Sequence, residues 1–377
     1  MIYADNSATT KPYDEVIDAY AKVAKDYFAN PSSLHKLGGE AEKLLTHARS
    51  QIGDLLGVKA KEIVFTSGGT EGNNFALKGT AFTFGNRGNH IITTTVEHDS
   101  VHSSLQQLED MGFNITYVPV DSEGRVSVNA ILDAITPETI LVSVMHVNNE
   151  VGTVQPVEEI GLALQQYPKI LFHVDSVQGI GKVPIDLKLG YIDLCTFSAH
   201  KFHGVKGAGI LYIREGISLS SLLAGGAQEH GHRAGTENVG SIVAMAKALR
   251  MTFEHNQETL RKMSEEFRKE LSSYPDFIIN TPKDGAAPHI VNVTVLGMKA
   301  EVVIHSLENE NVYASTTSAC SSKTAQPSKT LLAMGKSPEQ ASQAIRFSFS
   351  YCNNPEDGKK AAQALYKTIS HLKKVVR

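Results

Sequence analysis

The stretch Phe197-Ser198-Ala199-His200-Lys201-Phe202-His203-Gly204 lies between two apolar runs. Asp193-Leu194-Cys195-Thr196-Phe197 leads into it. Gly204-Val205-Lys206-Gly207-Ala208-Gly209 follows, and then Ile210-Leu211-Tyr212-Ile213. This pattern predicts strand, tight polar turn, strand. Lys201 is then held at the end of a buried strand. Desolvation and neighbouring charge lower a lysine's proton affinity, and a neutral amine can attack a carbonyl carbon. Taken alone, Lys201 reads more readily as a solvated lysine in a turn, the usual place for that residue. Other stretches decide between the two readings.

Upstream of this turn, apolar runs alternate with helical periods. Strands are predicted at 62–65, 90–95, 115–120, 140–147 and 170–174, and helices at 14–28, 40–56, 71–84, 100–111, 128–135 and 157–166. In the second helix Leu44, Leu45, Ala48, Ile52, Leu55 and Leu56 share a face, and Gly57 supplies the stop. Strand–helix alternation predicts an α/β domain with a mainly parallel, seven-stranded sheet flanked by helices. Ligands of such sheets sit beyond the carboxyl ends of the strands. After Asn238 the pattern changes to a long helix over 242–271, strands at 290–295 and 345–349, and helices at 301–309 and 356–374. We expect a large domain over 14–256. A smaller α+β domain would be built from 1–13 and 257–377.

The chain has 377 residues and ordinary globular composition, 41% hydrophobic and 20% charged, long enough to bury a substantial core. A net charge of −4 gives no basic footprint, so no direct nucleic-acid partner is expected. No apolar run reaches the roughly 18 residues of a membrane span. Met1-Ile2-Tyr3-Ala4-Asp5-Asn6 carries no secretion signal. The three cysteines, Cys195, Cys320 and Cys352, form neither a disulfide framework nor a metal cluster. A cytoplasmic protein in a reducing compartment is expected, with no metal.

Four further sites fall at predicted strand ends. Thr66-Ser67-Gly68-Gly69-Thr70-Glu71 joins a strand to a helix; its glycines let backbone approach a ligand, and the helix start offers N–H groups to an anion. A plain N-cap by Thr70 explains the same residues. Asp175, in Phe172-His173-Val174-Asp175, ends an apolar strand and must find a partner, either a protonated pyridine nitrogen or an ordinary salt bridge. His98, in Glu97-His98-Asp99, could stack on a flat ring and move a proton, or be a satisfied structural histidine. Asn148 and Asn149, in His146-Val147-Asn148-Asn149-Glu150, are unusual in a core strand and could reach a ring oxygen or a carboxylate. Together with Lys201 these supply what pyridoxal 5'-phosphate requires: a phosphate anchor, a Schiff-base lysine and an acid for the pyridinium.

Taken in order, these motifs resemble those of the fold-type I pyridoxal-phosphate enzymes, and more closely the cysteine desulfurases of the NifS/IscS group within the class V aminotransferases. The resemblance also runs through Asp5-Asn6-Ser7-Ala8-Thr9-Thr10, Asn30-Pro31-Ser32-Ser33, Arg233-Ala234-Gly235-Thr236-Glu237-Asn238, Ser318-Ala319-Cys320-Ser321 and Ile345-Arg346-Phe347-Ser348, so it covers nearly the whole chain. It implies that Lys201 carries the cofactor, Asp175 pairs with the pyridinium, and His98 stacks on the ring and acts in proton transfer. Asn148 and Gln178 would contact the ring or its phenolic oxygen, with Asn148 also near substrate. Gly69, Thr70, Ser198 and His200 would bind phosphate. Thr236 would reach the phosphate of a partner subunit, which implies a homodimer. Arg346 would hold the substrate carboxylate.

Cys320 lies in a small, polar run from Ala314 to Pro327 whose length suggests a mobile loop. Most free cysteines are buried as small hydrophobes. Cys195, inside an apolar strand, fits that description, and Cys352 reads as structural. Cys320 does not fit it. By the resemblance its thiolate would take sulfur from L-cysteine as a persulfide, leaving L-alanine, and pass it to an acceptor protein. Larger members of the group often carry a longer C-terminal tail that docks an iron–sulfur scaffold. This chain ends at Lys373-Lys374-Val375-Val376-Arg377, so a tRNA-thiolation enzyme or another acceptor is expected at least as readily. A selenocysteine lyase or other lyase of the same fold would not need Cys320. A non-catalytic, cofactor-free assembly partner would not need the set Lys201, Asp175, His98 and Cys320.

Overall fold

The computed structural model describes residues 1–316 and 327–375. Seven strands form one sheet: β1 (Ile63–Thr66), β2 (His90–Thr94), β3 (Asn114–Val118), β4 (Thr139–Met145), β5 (Leu171–Asp175), β6 (Leu194–Ser198) and β7 (Gly209–Ile213). Their order is β1-β7-β6-β5-β4-β2-β3. β7 runs antiparallel to both its neighbours, and the remaining pairs are parallel. This is the mainly parallel seven-stranded α/β sheet that the alternation predicts.

Alternate residues along these strands feed two cores. Phe65, Val142, Val144, Phe172, Val174 and Phe197 belong to one face's cluster, and Val64, Ile91, Leu141, Leu194 and Leu211 to the other's. Both faces are covered, as a parallel sheet with crossover helices requires. Helices α1 (Asp14–Asp26) and α2 (Lys36–Leu56) contribute to the first core, and α3 (Gly69–Phe84) and α4 (Asp99–Asp110) to the second. α5 (Val128–Asp133), α6 (Val157–Leu164) and α7 (Val239–Phe253) also pack on the first. The expected start of α2 at residue 40 is four residues late, because His35 accepts from the Gly38 N–H and caps the helix there.

The single helix expected over 242–271 is two. α7 ends at Phe253, and α8 (Glu258–Leu271) begins after Asn256, whose side chain accepts from the Glu258 N–H. That local bond offers the backbone an alternative to helix, which apolar periodicity does not reveal. Beyond the break lies a second sheet of β8 (Phe277–Ile279), β9 (Ile290–Val295), β10 (Ser315–Thr316) and β11 (Ala344–Ser348), ordered β10-β11-β9-β8 and antiparallel throughout. α8, α9 (Ala300–Glu308) and α10 (Asp357–Val375) pack against it around Phe267, Leu307, Phe347 and Leu365. The N-terminal residues Ile2–Tyr3 pair in parallel with Val312–Tyr313, and Asp5 bridges to Ser348. The strands β8 and β10 escape the sequence reading because they are only three and two residues long.

Candidate active site

The carboxyl ends of β1, β2, β4, β5 and β6 open on one side of the large sheet. Segments following those ends, the N-terminal residues Ser7 and Ala8, and Arg346 from β11 enclose a cavity of about 450 Å³. Its wall includes Gly69, Thr70, His98, Asp175, Gln178, Ser198, His200, Lys201 and Arg346. Nine expected site residues, scattered over the chain, therefore meet in one place.

Lys201 closes a short 3-10 turn, Ala199–Lys201, directly after β6. Its Nζ donates to the carbonyls of Ser7 and Ala8, the latter at 2.9 Å. Beneath it, the fully buried Lys182 donates to the Lys201 carbonyl at 2.8 Å. Burial and the neighbouring Lys201 charge pull the Lys182 pKa down to about 7. His200 contacts Thr9 Oγ1 at 3.2 Å. Burial, with the charges of Lys201, Lys206 and Lys182, lowers its pKa to about 4, so its ring is neutral at pH 7.

Asp175 ends β5. Its Oδ2 accepts from Asn73 Nδ2 at 2.7 Å and its Oδ1 from the Val177 N–H at 3.0 Å. His98 caps α4, its Nδ1 accepting from the Ser100 N–H at 3.1 Å. The neighbouring Glu97 is wholly enclosed. Thr94 Oγ1 and the Met145 N–H donate to its Oε1. Burial, reinforced by the Asp175 charge, nevertheless raises its pKa to about 8. Glu150 shares this trend: burial raises its pKa, against the Ser328 hydroxyl and the Arg346 charge. Arg346 donates to the Asn149 carbonyl at 2.9 Å and pairs with Asp5 at 3.0 Å. Burial raises the Asp5 pKa, and Arg346 and Lys201 oppose that rise.

Gly68 caps and Gly69 begins α3, both beside Ser198, and Gly69 lies on the cavity wall. A Cβ at Gly69 would lie 2.8 Å from Val177 Cγ2, so the glycine is what lets the helix start sit this close to the strand ends. A second depression adjoins the first there, lined by Ser67, Gly68, Thr70, Ser198, His200 and Lys206. The helix start, hydroxyls and an imidazole suit a phosphate.

The enclosed residues fit a polar cofactor. Ser7 Oγ, Asn73 Oδ1, Thr95 Oγ1, Glu97 Oε2, Gln178 Oε1 and Arg346 Nε all belong to the cavity wall, are buried, and have no hydrogen-bond partner among the described residues. Buried polar atoms are ordinarily paired, so orphans gathered on one wall mark where a polar ligand supplies the missing bonds. Lysine, carboxylate and anion cup around one enclosed volume match pyridoxal phosphate.

Three expected residues stand apart. Asn148 is buried but outside the cavity wall: its Nδ2 donates to the Val96 carbonyl, and its Oδ1 accepts from the N–H groups of Glu150 and Val151. Thr236 is exposed and does not line the cavity. Cys320 lies outside the described residues. Of the other cysteines, Cys195 is fully buried, as expected, and burial raises its thiol pKa well above the usual value. Cys352 is exposed, with Sγ 3.6 Å from His203 Nδ1. Asn73, Glu97 and Ser7 were not predicted as wall residues. Asn73 carried a usable signal, a polar side chain one turn after Gly69 on the helix face that continues through Ala76, Leu77 and Thr80.

The sheet, its strand-end lysine and acid, and the anion cup define a pyridoxal-phosphate enzyme of fold type I. The chain belongs to the aminotransferase class-V family, whose model matches residues 2–360. It is 45% identical over 380 residues to the NifS/IcsS protein homolog of Lactobacillus delbrueckii subsp. bulgaricus, covering 100% of this chain and 99% of that protein. To the cysteine desulfurase IscS of Clostridium botulinum it is 42% identical over 382 residues, covering 100% and 96%. Among solved structures, a NifS-like protein matches with a TM-score of 0.91 at 36% identity, covering 98% of this chain and 99% of that one.

Proposed function

We propose that the chain is a pyridoxal-phosphate-dependent cysteine desulfurase that removes sulfur from L-cysteine, releases L-alanine, and holds the sulfur as a persulfide on Cys320. The observation that carries this reading is the convergence of Lys201, Asp175, His98 and Arg346 on one enclosed cavity, with the cup at Gly69 and Thr70 on its wall. Full-length similarity to a protein named cysteine desulfurase selects the reaction.

When bound, the cofactor supplies an electron sink that stabilises negative charge at the substrate α-carbon. Lys201 Nζ would be its covalent anchor and the amine that accepts the substrate α-proton. Asp175, fixed by Asn73 and Val177, would pair with the pyridinium. His98 would stack on the ring and serve proton transfer. Gln178 would contact the ring's phenolic oxygen; its Nε2 donates to the Ser7 carbonyl at 2.9 Å, at the cavity wall. Gly69, Thr70, Ser198 and His200 would hold the phosphate, joined by Thr236 of a second copy in a homodimer. Asn148 acts indirectly, by folding the segment that brings Asn149 and Glu150 to the wall. Arg346, whose buried Nε has no partner among the described residues, would take the substrate carboxylate. The Cys320 thiolate attacks the substrate sulfur. The S–S bond forms as the C–S bond breaks, and the electron pair left on carbon takes a proton to give alanine.

In this reading the larger unit spans 14–256. The smaller unit, 1–13 with 257–377, carries the Cys320 segment. No described helix is long and apolar enough to cross a membrane, and we place the enzyme in the cytoplasm. The persulfide sulfur goes to an acceptor protein, either a tRNA-thiolation enzyme or an iron–sulfur scaffold. Purified protein should be yellow, and borohydride should fix the cofactor to Lys201. Cys320→Ala should keep the colour and release no sulfide from cysteine. A protein that takes up no cofactor, or a Cys320→Ala variant as fast as the parent, overturns the reading.

A further inference from the structure

We propose that Asn73 and Ser100 are positioning residues that fix the tautomer of His98, placing its hydrogen on Nε2, and that tie His98 to Asp175 through one ordered chain of hydrogen bonds. The inference rests on His98 and Asp175 serving the reaction proposed above.

The order of hydrogens follows from donors that cannot reverse. The Ser100 backbone N–H points at His98 Nδ1, 3.1 Å away, as part of the cap on α4. A backbone amide only donates, so Nδ1 must accept, and the neutral ring carries its hydrogen on Nε2. Ser100 Oγ lies 2.8 Å from the same Nδ1 and 2.9 Å from Asn73 Nδ2. The amide donates to the hydroxyl oxygen, which leaves the hydroxyl hydrogen for Nδ1. The second Asn73 amide hydrogen goes to Asp175 Oδ2 at 2.7 Å. A carboxylate cannot donate, so Asp175 also decides which end of the Asn73 amide is nitrogen. Asp175, Asn73, Ser100 and His98 thus form one line with each hydrogen assigned. Asn73 is 1% exposed and Ser100 is buried, so no bulk water competes for these bonds.

The chemical consequence concerns which way protons move. In this tautomer the His98 edge away from the helix offers a hydrogen. For the ring to take up a proton at Nδ1, the bond from the Ser100 N–H must break and the Ser100 hydroxyl must turn to accept. His98 therefore acts as a hydrogen donor over the ring, and the α-proton is left to the Lys201 amine.

The test uses the full chain labelled with ¹⁵N-histidine, with and without added pyridoxal phosphate. The His98 resonance is assigned by its loss in His98→Gln, and two-bond ¹⁵N–¹H correlation shows which nitrogen carries the hydrogen. The expected result near neutral pH is hydrogen on Nε2 alone. Hydrogen on Nδ1, or on both nitrogens, overturns the proposal. The cofactor-free sample keeps this result separate from the function: a protein that binds no cofactor counts against the desulfurase reading, whatever its tautomer. Kinetics test the chain. Ser100→Ala should lower kcat by roughly tenfold, a modest part of what acid–base groups contribute, with KM for cysteine changed by less than about twofold. Ser100→Thr, which keeps the hydroxyl, should recover most of the loss. Asn73→Leu should show the same kcat defect, and the double variant should be no slower than the slower single one, as groups acting in one line require. A Ser100→Ala enzyme at full speed, or losses that multiply in the double variant, overturns it. Should Asn73→Leu fail to fold, the Ser100 pair still decides.

Discussion

Glu97 places a fully enclosed carboxyl beside His98, and its Oε2 has no partner among the described residues. Its proton affinity in the folded chain, near pH 8, exceeds the ordinary value of 4.5. The folded state therefore holds this proton across a window where the unfolded chain has lost it. The stability this contributes is complete below about pH 4.5 and is lost as pH rises through 8. Lys182 has the opposite sign in a higher window. Folded, it loses its proton near pH 7 against 10.5 unfolded, so stability rises with pH over that span. The windows barely overlap, so the two groups are separable. In cofactor-free protein, Glu97→Gln should flatten the fall in melting temperature between pH 5 and 7, and Lys182→Met should flatten the rise between pH 8 and 10. A parent protein whose melting temperature climbs from pH 5 to 7, with no change in Glu97→Gln, counts against the buried acid. Neither group was legible as perturbed in the sequence. Glu97 was visible only as the neighbour of His98, and nothing in the sequence singled out Lys182. The shift comes from enclosure by β4, the turn after β6 and the N-terminal segment.

At the scale of elements, the junction between β1 and α3 depends on how closely β7 approaches it. A Cβ at Gly209, the first residue of β7, would lie 2.7 Å from Gly68 Cα and 2.8 Å from Thr66 Oγ1. The obstacle is backbone, which cannot swing aside. Gly209→Ala should cost about 1–3 kcal/mol of stability, in the range of other overpacked sites. It should weaken cofactor retention as well, because the displaced turn carries Gly69 and Thr70. Thermal unfolding and absorbance titration with pyridoxal phosphate measure the two effects; a normal affinity would show that β7 does not set the cup. Long elements with a clear period, such as α2 and the strands of the large sheet, were readable from sequence because burial imposes the period. The break between α7 and α8 was not. It depends on Asn256 bonding to the backbone two residues on, a choice of one side chain within an otherwise helical pattern.

In the whole molecule, ion pairs hold distant segments against the site. Arg49 of α2 forms a two-point pair with Glu229, each bond at 2.7 Å, and Glu229 also accepts from the Phe65 N–H of β1. Both side chains are almost completely buried, at 10% and 2% exposure. The pair anchors residues 228–231, where Glu229 and His230 adopt left-handed backbone conformations, beside the segment whose Arg233 pairs with Glu71 of α3. Arg49→Met leaves the Glu229 charge buried and uncompensated. It should cost about 3–5 kcal/mol, and the Arg49→Met/Glu229→Gln double variant should recover part of that loss. Denaturant unfolding of the three proteins measures this, and a single variant as stable as the parent would remove the pair from the fold's support. A second tie, Arg346 to Asp5 and the Asn149 carbonyl, fastens the small sheet to the cavity wall of the large one.

The sequence by itself determined the alternation that makes the sheet, the positions of Lys201, Asp175 and His98 at or just after strand ends, and the glycines at the junction of β1 and α3. These are local properties, set by periodicity, turn chemistry and the need of a polar group at the end of a buried strand for a partner. Tertiary structure decided the rest. It put Arg346 across from Lys201 although 145 residues separate them. It turned the Asn148 carboxamide inward to its own loop, enclosed Glu97 and Lys182, and linked Asp175 to His98 through Asn73 and Ser100. Each of these depends on which surfaces meet once the chain is folded. Proton affinity and hydrogen-bond order depend on that meeting, because both follow from the water that is excluded and the partners that take its place.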